Sequence, residues 1–194
     1  MRNKLFALLL LSFAITGCSL FYPLNTQIDE FKHTNKTTFE IGLLPTEHQT
    51  SNVNSANIIF EKCLSETGET FSAYFILTRN SSSFKLDKDC FIKAFGKSYE
   101  ITLENQETQN RSQLFSRTES LSVKDSTKVK TESKTISNSY DYYEEKFVIR
   151  FTPEMTEAIK KTDELIFRYY LGPKQATFRL TGLPLKRIKK LLSV

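Results

Sequence analysis

Residues 71–78 constrain the fold more than any other stretch. Phe71, Ala73, Phe75 and Leu77 share one parity and Ser72, Tyr74, Ile76 and Thr78 the other, and successive side chains of a strand point to opposite faces. Apolar groups on both parities predict a central strand packed on two sides. Around it, 57–64, 90–95 and 98–103 are further short runs rich in aromatic and β-branched residues, separated by polar turns such as Ser65-Glu66-Thr67-Gly68. The chain holds 16 Phe and 8 Tyr but no Trp, enough for an aromatic core of the kind that β structure hosts.

The flanks extend the pattern. In 37–43, Phe39, Ile41 and Leu43 alternate with Glu40 and Gly42 until Pro45 ends the run, and the polar stretch 46–57 reads as a loop. Further on, 146–151, 164–171 and 176–180 are strands, the last two joined by the turn Gly172-Pro173-Lys174-Gln175. Thr152-Pro153-Glu154 starts a helix with an N-cap, a proline at the first helical position and an acid in the first turn. Met155, Ala158 and Ile159 form its buried stripe. A second helix over 184–192 turns Leu185, Ile188 and Leu192 to one face, with Lys186, Arg187, Lys189 and Lys190 elsewhere. Strands outnumber helices by about eight to two without βαβ alternation, which predicts a mainly β fold. The specific expectation is an antiparallel β-sandwich-like domain over 37–194 with two short C-terminal helices.

One segment resists this reading. Between 104 and 138 the chain is dominated by Ser, Thr, Lys, Glu, Gln and Asn, with few large apolar residues. Such a composition suits a flexible insertion, because it cannot offset the entropy of ordering. Yet Thr127, Val129, Thr131, Ser133, Thr135 and Ser137 form one alternating row, and Lys128, Lys130, Glu132 and Lys134 the other. That pattern suits a solvated hairpin turning at Lys124-Asp125-Ser126.

The N-terminus carries an address. Arg2 and Lys4 precede an uncharged apolar run over 5–15, which is too short to span a bilayer and has the layout of a secretory signal. It closes on Ile15-Thr16-Gly17-Cys18. An aliphatic residue, a small residue, Gly and then Cys resembles the lipobox of bacterial lipoproteins. The resemblance covers only the first eighteen residues. It implies that 1–17 is removed, that the Cys18 thiol is lipidated, and that 18–36 tethers the domain to a membrane. Ser19, rather than Asp, is similar to the arrangement that sends Gram-negative lipoproteins to the outer membrane. Several acyl chains on one Cys make a durable anchor without a spanning segment.

Removing residues 1–17 from the 194 leaves 177 residues, enough for one domain and a tether, and lowers the formal charge from +5 to +3. So mild a basic balance demands no nucleic acid. With Cys18 lipidated, Cys63 and Cys90 are the remaining pair in an oxidising compartment, and a disulfide between them is expected. In the chain-entropy model it would contribute about 3.5 kcal/mol.

Signatures of catalysis are missing. There is no Gly-x-Ser-x-Gly elbow, Gly-rich phosphate loop or His-Glu-x-x-His site, and the two histidines, His33 and His48, lack ligand spacing. No cofactor or metal is expected. The leading expectation is a lipid-anchored, non-enzymatic envelope protein that binds a protein partner or supports an assembly. The alternatives are a small-ligand or lipid carrier with an apolar cavity between its sheets and, more remotely, an envelope hydrolase.

Two features carry the candidate surface. One is the Ser/Thr/Lys hairpin, with Lys128 and Lys130. The other is Tyr140-Asp141-Tyr142-Tyr143-Glu144-Glu145, where Tyr140, Tyr142 and Tyr143 offer rigid amphipathic contacts beside acids able to receive a cationic partner. The competing reading is that the hairpin rejoins the sheet here with alternate tyrosines inside. Likewise, Lys186 to Lys190 is either a lipid-facing basic patch or the solvated side of a docked helix.

Overall fold

The computed structural model describes residues 23–46, 51–80, 84–125 and 128–194, and of 119–134 the backbone alone. Cys18 and the expected signal segment lie outside the described residues, as does His48.

Ten strands and two helices follow one another among the described residues. They are β1 (Asn25–Asp29), β2 (Thr34–Leu43), β3 (Val53–Ser65), β4 (Gly68–Asn80), β5 (Asp89–Ala94), β6 (Lys97–Thr102), β7 (Glu104–Asp125), β8 (Lys128–Arg150), α1 (Pro153–Lys161), β9 (Leu165–Leu171), β10 (Lys174–Leu180) and α2 (Gly182–Ser193). The strands make two sheets, ordered β1-β2-β3-β4-β8-β7 and β10-β9-β5-β6. All pairings are antiparallel. The fold is mainly β and sandwich-like, with both helices towards the C-terminus.

The alternation seen in the sequence builds the core. Phe39 and Ile41 of β2, Ile58 and Phe60 of β3, and Phe71, Ala73, Phe75 and Leu77 of β4 are buried, as are Phe147 and Ile149 of β8 and Phe167 and Tyr169 of β9. Rings meet across the two sheets. Phe75 lies 5.1 Å from Phe167 and 5.6 Å from Tyr169 between ring centroids, and Phe147 lies 5.3 Å from Tyr169. Edge-on and tilted pairs at these separations add to the burial of ring area. At the β5–β6 turn, Ala94 pairs with Lys97. Phe95 and Gly96 between them both take positive φ, +48° and +75°, the requirement of a two-residue hairpin turn that matches strand twist.

The helices form where their signals stand. Thr152 accepts from the Met155 N–H at 3.3 Å, and Met155, Ala158 and Ile159 are buried. In α2 the buried stripe is Leu185, Ile188, Leu191 and Leu192, packed on β2 and β3.

Several expectations need correction. Residues 25–36 are not all tether, because β1 pairs with β2 from Asn25 opposite Thr38 to Asp29 opposite Thr34. Strand β4 is central but packs on one side, since Tyr74 on its outer face is 38 % exposed. On β5, Phe91 faces outward and meets Tyr170.

The disulfide between Cys63 and Cys90 is not formed, and both cysteines are free. Strand parity explains this. Ile58, Phe60 and Lys62 take the inward row of β3, so Cys63 stands on the outer face with Glu61. Cys90 is wholly buried on β5 of the other sheet, opposite Tyr169.

Candidate binding surface

Strand β8 passes from the body of the sandwich into a projection, and the candidate residues lie along it. From Ser72↔Arg150 to Asn80↔Tyr142, β8 is held between β4 and β7. Beyond Asn80 and Tyr142, β7 and β8 pair only with each other among the described residues. Fourteen register pairs continue from Ser112↔Asp141 to Asp125↔Lys128. At about 3.3 Å per residue this arm extends roughly 45 Å. Every described side chain from 111 to 118 and from 135 to 141 is exposed. Within this stretch, Glu104–Asp125 and the residues from Lys128 onward are strand.

Where the arm meets the body, the inward row changes chemistry. Two places beyond Leu77 stands Arg79, and two before Phe147 stands Glu145, 3 % and 1 % exposed respectively. The Arg79 Nε donates to Glu145 Oε1 at 2.7 Å, and Nη2 lies 2.6 Å from the same oxygen. Thr108 Oγ1 donates to Glu145 Oε2 at 2.6 Å. The Arg79 guanidinium carbon also sits 4.5 Å from the Tyr143 ring centroid. Both carboxylate oxygens and one face of the guanidinium are thus occupied, as a buried pair requires.

The outer face of the same strands is polar and wet. Tyr140 and Tyr142 stack with centroids 6.3 Å apart. Tyr140 Oη donates to Asn80 Oδ1 at 2.6 Å, and Asn54 Nδ2 donates to that oxygen at 3.1 Å. Glu144 is engaged within the chain, 3.2 Å from Arg111 and 3.7 Å from Lys146.

The candidate tyrosines are therefore divided. Tyr140 and Tyr142 come together on the outer face, while Tyr143 joins the inward row over Arg79. Both neighbouring glutamates already hold cations of this chain, which favours the reading in which the hairpin rejoins the sheet. Lys128 and Lys130 lie opposite Asp125 and Val123 at the far end of the arm, so the two halves of the candidate surface stand some 45 Å apart. Sequence reasoning missed Arg79 and Thr108, and offered Glu145 to an outside cation where Arg79 already holds it. The parity of Phe147 and Ile149 assigns Glu145 inward, and that was the available signal.

Elsewhere, a groove of about 520 Å³ lies beside α1, lined by Glu61, Cys63, Glu69, Tyr74, Arg150 and Lys160 among others. No cluster of three or more His, Cys, Asp or Glu stands ready for a metal among the described residues. His33 is exposed in the β1–β2 turn. Burial, with a smaller contribution from Asp89, pushes the Cys90 thiol up to about 12, so it stays protonated and unreactive. On the basic C-terminal segment, the docked-helix reading fits the buried Leu185, Ile188 and Leu192. Lys62, nearly buried beneath that helix, donates to the Leu192 carbonyl at 3.3 Å and lies 3.2 Å from Glu69, a cation placed at a helix C-terminus.

Among the described residues no helix is long and apolar enough to cross a membrane. No protein-family model, curated protein or solved structure matches the chain.

Proposed function

We propose that this chain is a lipid-anchored, non-enzymatic protein of the bacterial cell envelope whose sandwich domain holds out the β7–β8 arm to engage a protein partner or build an assembly. The arm carries the reading. A two-stranded ribbon of fourteen pairs with every described side chain exposed contributes little to the core, and a long open strand edge is a template for pairing with another chain. Anchoring rests on the resemblance of Ile15-Thr16-Gly17-Cys18 to a lipobox. The packed aromatic core favours this reading over a carrier, because Phe60, Phe75, Phe147, Phe167 and Tyr169 fill the space between the sheets where a ligand would sit.

Two measurements test it in cells. Mass spectrometry of the mature N-terminus should find an acylated Cys18, and Cys18→Ala should release the protein from the membrane fraction. A photo-crosslinking residue at Phe115 should trap a protein, whereas the same residue at Glu40 on the body should not. An unmodified N-terminus removes the anchor, and equal trapping from both positions removes the arm as the contact.

A further inference from the structure

We infer that the partner of the arm is a second copy of this chain, joined antiparallel through β7 about a two-fold axis at Thr118. The inference rests on reading the arm as the contact surface and names what it contacts.

Strand β7 ends its sheet, so among the described residues no strand pairs with its other edge. Its register with β8 shifts only between Glu104 and Glu107, at the root, and is continuous through the arm. No Gly or Pro occurs between Gly96 and Pro153. Natural edges are blunted with proline, bulges, very short strands or charged side chains; this stretch of β7 has no proline or bulge, and its charges, Arg111, Arg117, Glu119, Lys124 and Asp125, are of both signs.

The sequence of β7 is self-complementary about Thr118. A two-fold axis there brings Arg117 opposite Glu119, Phe115 opposite Leu121 and Arg111 opposite Asp125, each twice, while Ser116 meets Ser120 on the other parity. Directly opposed residues of an antiparallel pair share a face, and opposite charges there are favourable while like charges are not. Because faces must match, the axis falls on a residue. Moving it one place sets Arg117 opposite Arg117 in one direction and Glu119 opposite Glu119 in the other.

The length of the arm is compatible with the same register. Thr118 is the midpoint of Arg111, the last β7 residue of the body, and Asp125, at the tip of the arm. Centring there lets the tip of each copy reach the root of the other, and the two bodies stay at opposite ends. Glu119 is opposite Lys134 within the chain and Arg117 of the second copy, and Asp125 is opposite Lys128 and Arg111 of the second copy. The distal part of β8 is open too, and an axis at Ser133 would set Glu132 opposite Lys134, but that register offers one kind of charged pair where β7 offers two, and it sets no large apolar residue opposite another.

The test uses the full-length chain in its own membrane. Thr118→Cys, at the axis, should oxidise to a disulfide-linked dimer, because it meets itself at strand separation. Gln113→Cys, opposite Val123, should not crosslink alone but should when combined with Val123→Cys. In detergent, Arg117→Glu should weaken the dimer by at least about tenfold, since two attractive pairs become repulsive. Glu119→Arg added to it should restore the dimer. Equal crosslinking of Thr118→Cys and Gln113→Cys, or failure of the double charge reversal to rescue, would overturn the two-fold register. A monomer whose Phe115 probe traps a different envelope protein would overturn self-pairing while leaving the arm as the contact.

Discussion

Strand β8 runs unbroken from Lys128 to Arg150, yet its two halves are built on opposite terms. In the body, Phe147 and Ile149 are buried between sheets and Glu145 is sealed against Arg79. In the arm, the described residues from Thr135 to Asp141 are all exposed. Both halves alternate, and both keep register with β7. Alternation therefore decides that a segment is strand, and the chemistry of the inward row decides whether it is held by burial or mainly by hydrogen bonding along the ladder.

That contrast can be broken most directly by truncating the same residue type in each region. Phe75 touches Phe147, Phe167 and Tyr169, and Phe75→Ala should cost about 3–5 kcal/mol through lost ring burial and the cavity left behind. Phe115 on the arm is 54 % exposed, and Phe115→Ala should change stability by no more than about 0.5 kcal/mol. Urea unfolding of the two variants measures both. Similar costs would mean that the arm belongs to the cooperative core.

At the junction the expected effect is slightly smaller. Glu145→Leu leaves Arg79 without its carboxylate in a site that is 3 % exposed, and should cost about 3 kcal/mol, the low end for an orphaned buried charge because the guanidinium keeps the face of Tyr143. Adding Arg79→Met should recover most of that loss, since an apolar pair of similar size often matches a buried ion pair. If the single variant unfolds no more easily than the parent, the junction is wetter than its burial indicates.

The body was legible in the sequence because its rows are chemically distinct. Phe39 with Ile41, and Phe71 with Phe75, mark the inward parity of their strands, and Thr152-Pro153-Glu154 marks α1. The arm was half legible. Its alternation was visible, but Ser and Thr on one row provide no burial to distinguish a ribbon from a flexible insertion, and the absence of Gly and Pro was the stronger sign. Strand β1 carried almost no pattern, because four of its five residues are exposed and it is held by backbone pairing with a few threonine hydroxyl hydrogen bonds rather than by apolar burial. The expected disulfide failed for lack of a parity check on Cys63. Lys62 on the inward row could not be foreseen, since the carbonyl it donates to comes from Leu192, far along the chain.

Removing the whole arm should also have only a small effect on the stability of the body. Excising 112–141 and joining Arg111 to Tyr142 through Asn-Gly keeps their register pair and supplies a turn suited to strand twist. No described side chain in the excised segment is buried, so the unfolding free energy at low protein concentration should change by less than about 1 kcal/mol. The slope against urea should also be nearly unchanged, because it follows the surface exposed on unfolding. Concentration separates this from the effect of self-pairing. The parent midpoint should rise with protein concentration, as it must when a partner binds only the folded chain, and the arm-less variant should lose that dependence. A large drop in stability at low concentration would make the arm part of what holds the sandwich together, and the contrast between the two halves of β8 would then be one of exposure and not of energetic role.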